Sequence, residues 1–166
     1  MAPRSIGLDD ALADYGGAQS TAPDAVRRQL IERTAALGDA AGMQSAPDQG
    51  EFLTMLTWLV GAEFAVEVGT FTGYSALSIA SGLADGGRLL CCDVSTEWTD
   101  IAREHWVLAG VDDRIELQVA PATETLRALP ADTVVDFAFI DADKGGYVDY
   151  YEELLARLAP DGLICV

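Results

Sequence analysis

The chain has 166 residues, half of them apolar, enough for one packed domain with a layered core and too few for two independent ones. Ten basic against 27 acidic residues give a net charge of −17, which repels nucleic-acid phosphates and anionic membranes and suits a small or cationic ligand better. No apolar run approaches the roughly 18–20 residues of a membrane span and no secretory segment opens the chain, so a soluble cytoplasmic protein with buried thiols at Cys91, Cys92 and Cys165 is expected.

Residues 1–22 read as a polar arm, interrupted by Gly16 and Gly17, that is mobile or ordered by a partner; residues 23–166 read as the domain. From Pro23, the intervals of Val26, Leu30, Ile31 and Leu37 predict a helix over 23–40. "GEFLTMLTWLVGA" predicts a second, with Pro47 and Asp48 just before it. Beyond it, apolar runs at 64–68, 88–94, 114–120, 134–140 and 162–166 read as strands. They alternate with the helical stretches "GYSALSIASGLA", "EWTDIAREHWVLAG", "TETLRAL" and "YVDYYEELLARLA".

Near-continuous apolar strands separated by helices signal a parallel α/β sheet covered on both faces and doubly wound by right-handed crossovers. Such sheets bind ligands outside the carboxyl ends of their strands. The first strand runs into Glu67-x-Gly69-x-x-x-Gly73, glycines that permit a tight turn and a close backbone approach to a ligand. The spacing is not the G-x-G-x-x-G of a dinucleotide loop, which argues against a nicotinamide oxidoreductase, and an acidic residue before the glycines disfavours phosphate. Asp93, ending the second strand, is placed to accept ribose hydroxyls. A nucleoside ligand with positive charge and no pyrophosphate, S-adenosylmethionine, fits both features. The strand at 134–140 delivers Asp141, Asp143 and Lys144 to the same edge. His105, alone on its helix, reads as structural or solvent-facing.

"MQSAPDQGEFL", "EVGTFTGYSALSIA", "CDVSTEWTDIAREHWVLAGV" and "FAFIDADKGGYVDYYEELL" resemble the cation-dependent O-methyltransferases typified by the caffeoyl-CoA and catechol enzymes. The resemblance covers about residues 43 to 166. It implies the Rossmann-like class I methyltransferase fold with strand order 3-2-1-4-5, lacking the C-terminal strands. It places the cofactor's methionine end on Ser45, Gly69, Thr70 and Ser75 with Glu67 beside them, in the turn closed by Gly73. Asp93 becomes the ribose acceptor, Ala122 an adenine-side backbone contact and Asp143 a cofactor-side carboxylate. Asp141 becomes a ligand of a divalent ion, usually magnesium, and Lys144 the general base toward a phenolic, catechol-like small molecule.

Family members continue past the position of Val166 with an Asp-Asn pair that completes the metal site and a hairpin that closes the sheet, so a fragment of a longer chain is expected. Two further readings are a nonenzymatic S-adenosylmethionine-binding or interaction module, favoured by the incomplete ligand set, and the oxidoreductase disfavoured above. The resemblance, and the helices preceding the sheet, also imply a homodimer.

Overall fold

In the computed structural model, which describes residues 9–166, the apolar segments pair into one parallel sheet. Its strands are β1 (Phe64–Val68), β2 (Arg88–Asp93), β3 (Ile115–Val119), β4 (Val135–Ile140) and β5 (Leu158–Cys165), in the order β3-β2-β1-β4-β5 that the resemblance implied. The helices are α1 (Asp10–Gln19), α2 (Ala25–Ala35), α3 (Pro47–Leu59), α4 (Tyr74–Gly82), α5 (Thr96–Ala109), α6 (Ala122–Ala128) and α7 (Tyr147–Leu155).

Side chains alternate across a strand, so each central strand feeds two cores. Ala65, Leu89, Cys91, Phe137 and Phe139 pack against α2 to α5, through Leu30, Leu53, Leu77 and Trp106. Val66, Val68, Leu90, Cys92, Ala138 and Ile140 pack on the other face against Leu126 of α6 and Tyr150 and Leu154 of α7. Burial on both faces is why these strands read as continuous apolar runs rather than alternating ones. Cys91 and Cys92 are buried, as expected, whereas Cys165, on the edge strand β5, is only partly buried. At the amino end of the sheet Asp136 Oδ2 accepts the amides of Glu63 and Phe64, both at 2.9 Å, and ties the start of β1 to β4. Among the described residues no helix is long and apolar enough to cross a membrane.

Three boundaries differ from expectation. Residues 1–8 of the polar arm lie outside the described residues, but from Asp10 to Gln19 the arm is a helix that touches α3. The Asp9 carboxylate starts it by accepting the Leu12 amide at 2.8 Å, and that cap offsets part of the roughly 1 kcal/mol that each internal glycine costs. The second helix stops at Ala35, and Gly38, at φ +66°, turns the chain into a 3₁₀ segment, Gly38–Met43. The last helix stops at Leu155 because Leu158 already pairs with Val135. The register then shifts so that Phe137 faces Leu163, and Pro160 sits in the resulting bulge, where its missing N–H costs no ladder bond.

Candidate active site

The carboxyl ends of β1, β2 and β4 open onto a cleft of about 1030 Å³. Ser45, Gly69, Thr70, Ser75, Asp93, Ala122, Asp141, Asp143 and Lys144 all line it, drawn from five separate stretches of chain. Glu67 and Gly73 do not; both are buried behind the wall. Sequence reasoning did not single out four further wall residues: Gln44, Phe71, Trp98 and Tyr150. Each lay inside a quoted motif, but nothing in its spacing distinguished it from a core residue.

The glycines of the turn serve the protein before any ligand. Gly69 has φ +95°, and a Cβ there would lie 2.1 Å from the Asp141 carbonyl oxygen. Gly73 has φ +85°, and its Cβ would lie 2.6 Å from Ala102 Cβ and 2.8 Å from Trp106 Nε1 of α5. Close chain-to-chain packing therefore requires both glycines, a constraint that the expected tight turn and ligand approach did not include.

Asp93 organises the same turn. Its Oδ2 accepts the amides of Thr70 at 2.9 Å and Phe71 at 2.8 Å, and its Oδ1 accepts the Ser95 amide at 2.8 Å. These bonds hold Phe71 at φ +50°, a left-handed conformation uncommon outside glycine, with its ring edge-on to Trp98 at 5.0 Å. The carboxylate thus shapes the loop it was expected to share with a ribose.

Glu67 lies on the α4 side of β1, fully buried where a core residue belongs. Cys91 Sγ donates to its Oε2 at 3.4 Å, while Oε1 has no partner among the described residues. Burial pushes its pKa up from 4.5 to about 7; Ser75, Thr70 and Cys91 nearby oppose the shift, and the Asp93 charge adds to it. In the unfolded chain this proton leaves near 4.5, whereas the fold retains it to about 7. Below the lower value both states are protonated and Glu67 exerts no charge penalty. As pH rises between the two values the ligand-free fold loses about 1.4 kcal/mol per unit, roughly 3 kcal/mol in all, and the loss stays constant above. Glu67→Gln is therefore expected to equal the parent in ligand-free stability near pH 4.5 and to exceed it by about 3 kcal/mol at pH 8. Urea unfolding at the two pH values measures this, and a pH-independent difference would refute it.

At the end of β4 the two carboxylates are used differently. Asp143 Oδ2 accepts the Gly146 amide at 2.9 Å and its Oδ1 accepts the Tyr150 hydroxyl at 2.7 Å. Lys144 is exposed, donates to the Tyr147 hydroxyl, stands 4.3 Å over that ring and lies 3.8 Å from Asp141 Oδ1. The bond to Tyr147, and secondarily the Asp141 charge, hold its pKa above the ordinary lysine value. Among the described residues no group of three or more His, Cys, Asp or Glu side chains could hold a metal ion. Mg²⁺ takes a near-octahedral oxygen set, usually one or two carboxylates with waters and substrate oxygens, and Asp141 offers one carboxylate with a competing ammonium beside it. The described residues do not by themselves fit a resident ion. His105 is structural: buried on α5, it donates from Nδ1 to the Ile101 carbonyl at 2.8 Å.

A cationic, zwitterionic cofactor fits better. Glu67 Oε1, Thr70 Oγ1 and both amide atoms of Gln44 are buried without hydrogen-bond partners among the described residues. Unpaired buried polar atoms are costly; these belong to the stretches on which the cofactor's amino-acid end was expected, while Arg27 Nε, His105 Nε2 and Arg157 Nε are unpaired elsewhere among the described residues.

A family model described as O-methyltransferase matches residues 18–166. The chain is 35% identical over 164 residues to a Dictyostelium discoideum protein named "Probable caffeoyl-CoA O-methyltransferase 2", covering 97% of this chain and 71% of that one. It is 40% identical over 126 residues to caffeoyl-CoA O-methyltransferase 2 of Zea mays, covering 74% of this chain and 48% of the relative. Among solved structures it is similar to an O-methyltransferase from Bacillus cereus in complex with SAH, with a TM-score of 0.85 and 32% identity over 93% of this chain and 70% of that one.

Proposed function

The chain belongs to the O-methyltransferase family, and from that premise we propose that it moves a methyl group from S-adenosylmethionine to a hydroxyl of a catechol-like small molecule. The observation that carries the reading is the cleft itself, lined by Lys144 and by Gln44 and Thr70 with their unpaired polar atoms, with the Glu67 carboxylate buried behind its wall. S-adenosylmethionine supplies an electrophilic methyl on a sulfonium. Glu67, behind that wall, supplies negative charge toward the cofactor's ammonium, a cation that compensates the buried carboxylate. The loop held by Asp93 meets the ribose, with Ala122 on the adenine side and Asp143 closing over the cofactor.

A neutral phenol, with a pKa near 10, is a weak nucleophile and must give up its proton as the methyl is transferred. Lys144 stands at the cleft mouth for that task. Bound to Tyr147 it is an ammonium, suited to stabilise oxygen charge; released from Tyr147 as the amine, it accepts the proton. Holding the oxygen in line with methyl and sulfur supplies much of the remaining acceleration. Magnesium on Asp141 belongs to the same reading through the family resemblance, and no step is assigned to it from one described donor.

Calorimetry with SAH tests the cofactor assignment. The parent chain is expected to bind SAH, and Asp93→Ala to weaken binding by roughly 1–3 kcal/mol because the Thr70 and Phe71 amides lose their shared acceptor. Equal affinity in parent and variant removes Asp93 from the site. Binding of NADH in place of SAH overturns the reading.

A further inference from the structure

We propose that Tyr150 is a positioning residue for Asp143, and through it a determinant of cofactor affinity; the inference rests on the cofactor reading above. Tyr150 belongs to two environments at once. Its ring is buried, 7% exposed, in the apolar core formed with Val66, Ile140 and Leu154. Its hydroxyl reaches the cleft wall and donates to Asp143 Oδ1 at 2.7 Å. Burial, and then the Asp143 carboxylate, push that hydroxyl up to about 12, so it remains a donor throughout the physiological range.

Asp143 would otherwise be a loose group. It sits in an irregular segment between β4 and α7, exposed to solvent. Its only other hydrogen bonds among the described residues run to its own loop: Gly146 N donates to Oδ2 at 2.9 Å and to the Asp143 carbonyl at 3.1 Å. The bond from Tyr150 alone ties the carboxylate to the packed core, and a rotamer locked by such a contact loses less freedom when a ligand binds. Gly146 has a matching constraint. A Cβ at that position would lie 2.4 Å from the Tyr150 hydroxyl oxygen, so the glycine leaves room for the contact. The pair of glycines after Lys144 thus has a geometric use at its second member.

The experiment is a double-mutant cycle read by calorimetry with SAH on the full chain: parent, Asp143→Ala, Tyr150→Phe and both together. Tyr150→Phe keeps the buried ring and removes the hydroxyl alone. It is expected to weaken SAH binding by roughly 3- to 20-fold, the range of one hydrogen bond to a charged group acting at second hand. Asp143→Ala is expected to weaken it at least as much. In the Asp143→Ala background, removing the hydroxyl is expected to change affinity less than twofold, because the group it positions is gone. A merely structural tyrosine would produce the same fold-loss in both backgrounds, so additive effects overturn the proposal, as does parental affinity in Tyr150→Phe. A fall in melting temperature common to both tyrosine variants cancels in the cycle. If the parent fails to bind SAH, or Asp143→Ala binds it normally, the cofactor placement itself fails and the proposal falls with it.

Discussion

Replacing Lys144 by alanine is expected to slow methyl transfer to a catechol acceptor by roughly 10²–10⁴-fold, the usual range for a lost general acid-base group. Affinity for SAH should change little, because the ammonium is directed toward Tyr147 and Asp141 rather than toward the buried polar end of the cleft. The residual rate of the variant should climb with pH more steeply than the parent's, since a phenol with a pKa near 10 ionises by itself as the solution becomes alkaline. Asp141→Ala is a useful contrast: it leaves the lysine in place, so its rate should follow pH as the parent's does. Transfer of a labelled methyl group from S-adenosylmethionine, followed across pH, reads all of these. A Lys144→Ala rate within threefold of the parent would remove the lysine from the chemistry.

Gly69→Ala is expected to destabilise the fold by roughly 2–6 kcal/mol, combining the strain of a left-handed alanine with overpacking. The added methyl would meet the carbonyl oxygen of Asp141 at 2.1 Å, its carbonyl carbon at 2.7 Å and Ala142 Cα at 3.2 Å. All three are backbone atoms, so no rotamer change relieves the contact. Relief requires the ends of β1 and β4 to separate, which breaks the hydrogen bond from Asp141 N to the Val68 carbonyl at 2.9 Å. The loop carrying Asp141, Asp143 and Lys144 would move with β4, so SAH binding should be lost beyond the fraction explained by unfolding. Denaturant unfolding gives the stability term. A midpoint equal to the parent's would show that the junction tolerates a side chain and that the glycine is there for another reason.

The alternating strands and helices, the strand order implied by the resemblance and the edge of the sheet at which the cleft opens were all legible in the sequence. So was the gathering of Asp93, Asp141, Asp143 and Lys144 at one end of the sheet, because each ends or directly follows a strand in a parallel arrangement. Tyr150 and Trp98 were not legible as wall residues. Each occupies a helical position whose apolar spacing is satisfied equally by a core role, and Tyr150 fills that core role as well.

What the sequence by itself determined is therefore the part of this protein set by local physics. Apolar runs of strand length, helical periodicity and punctuating glycines act within a few residues of themselves, so element type and the alternation of side chains across β1, β2 and β4 follow from the chain read in order. Only the tertiary structure decided what depends on which distant groups meet. Gly69 is constrained by Asp141, brought against it by the pairing of β1 with β4. Asp93 is occupied by amides more than twenty residues earlier. Glu67 has its proton affinity raised by burial beneath α4, which its place in a strand sequence did not specify. Hydrogen bonding, steric contact and desolvation act at a few ångströms whatever the separation along the chain, and those distances exist only once the sheet has closed.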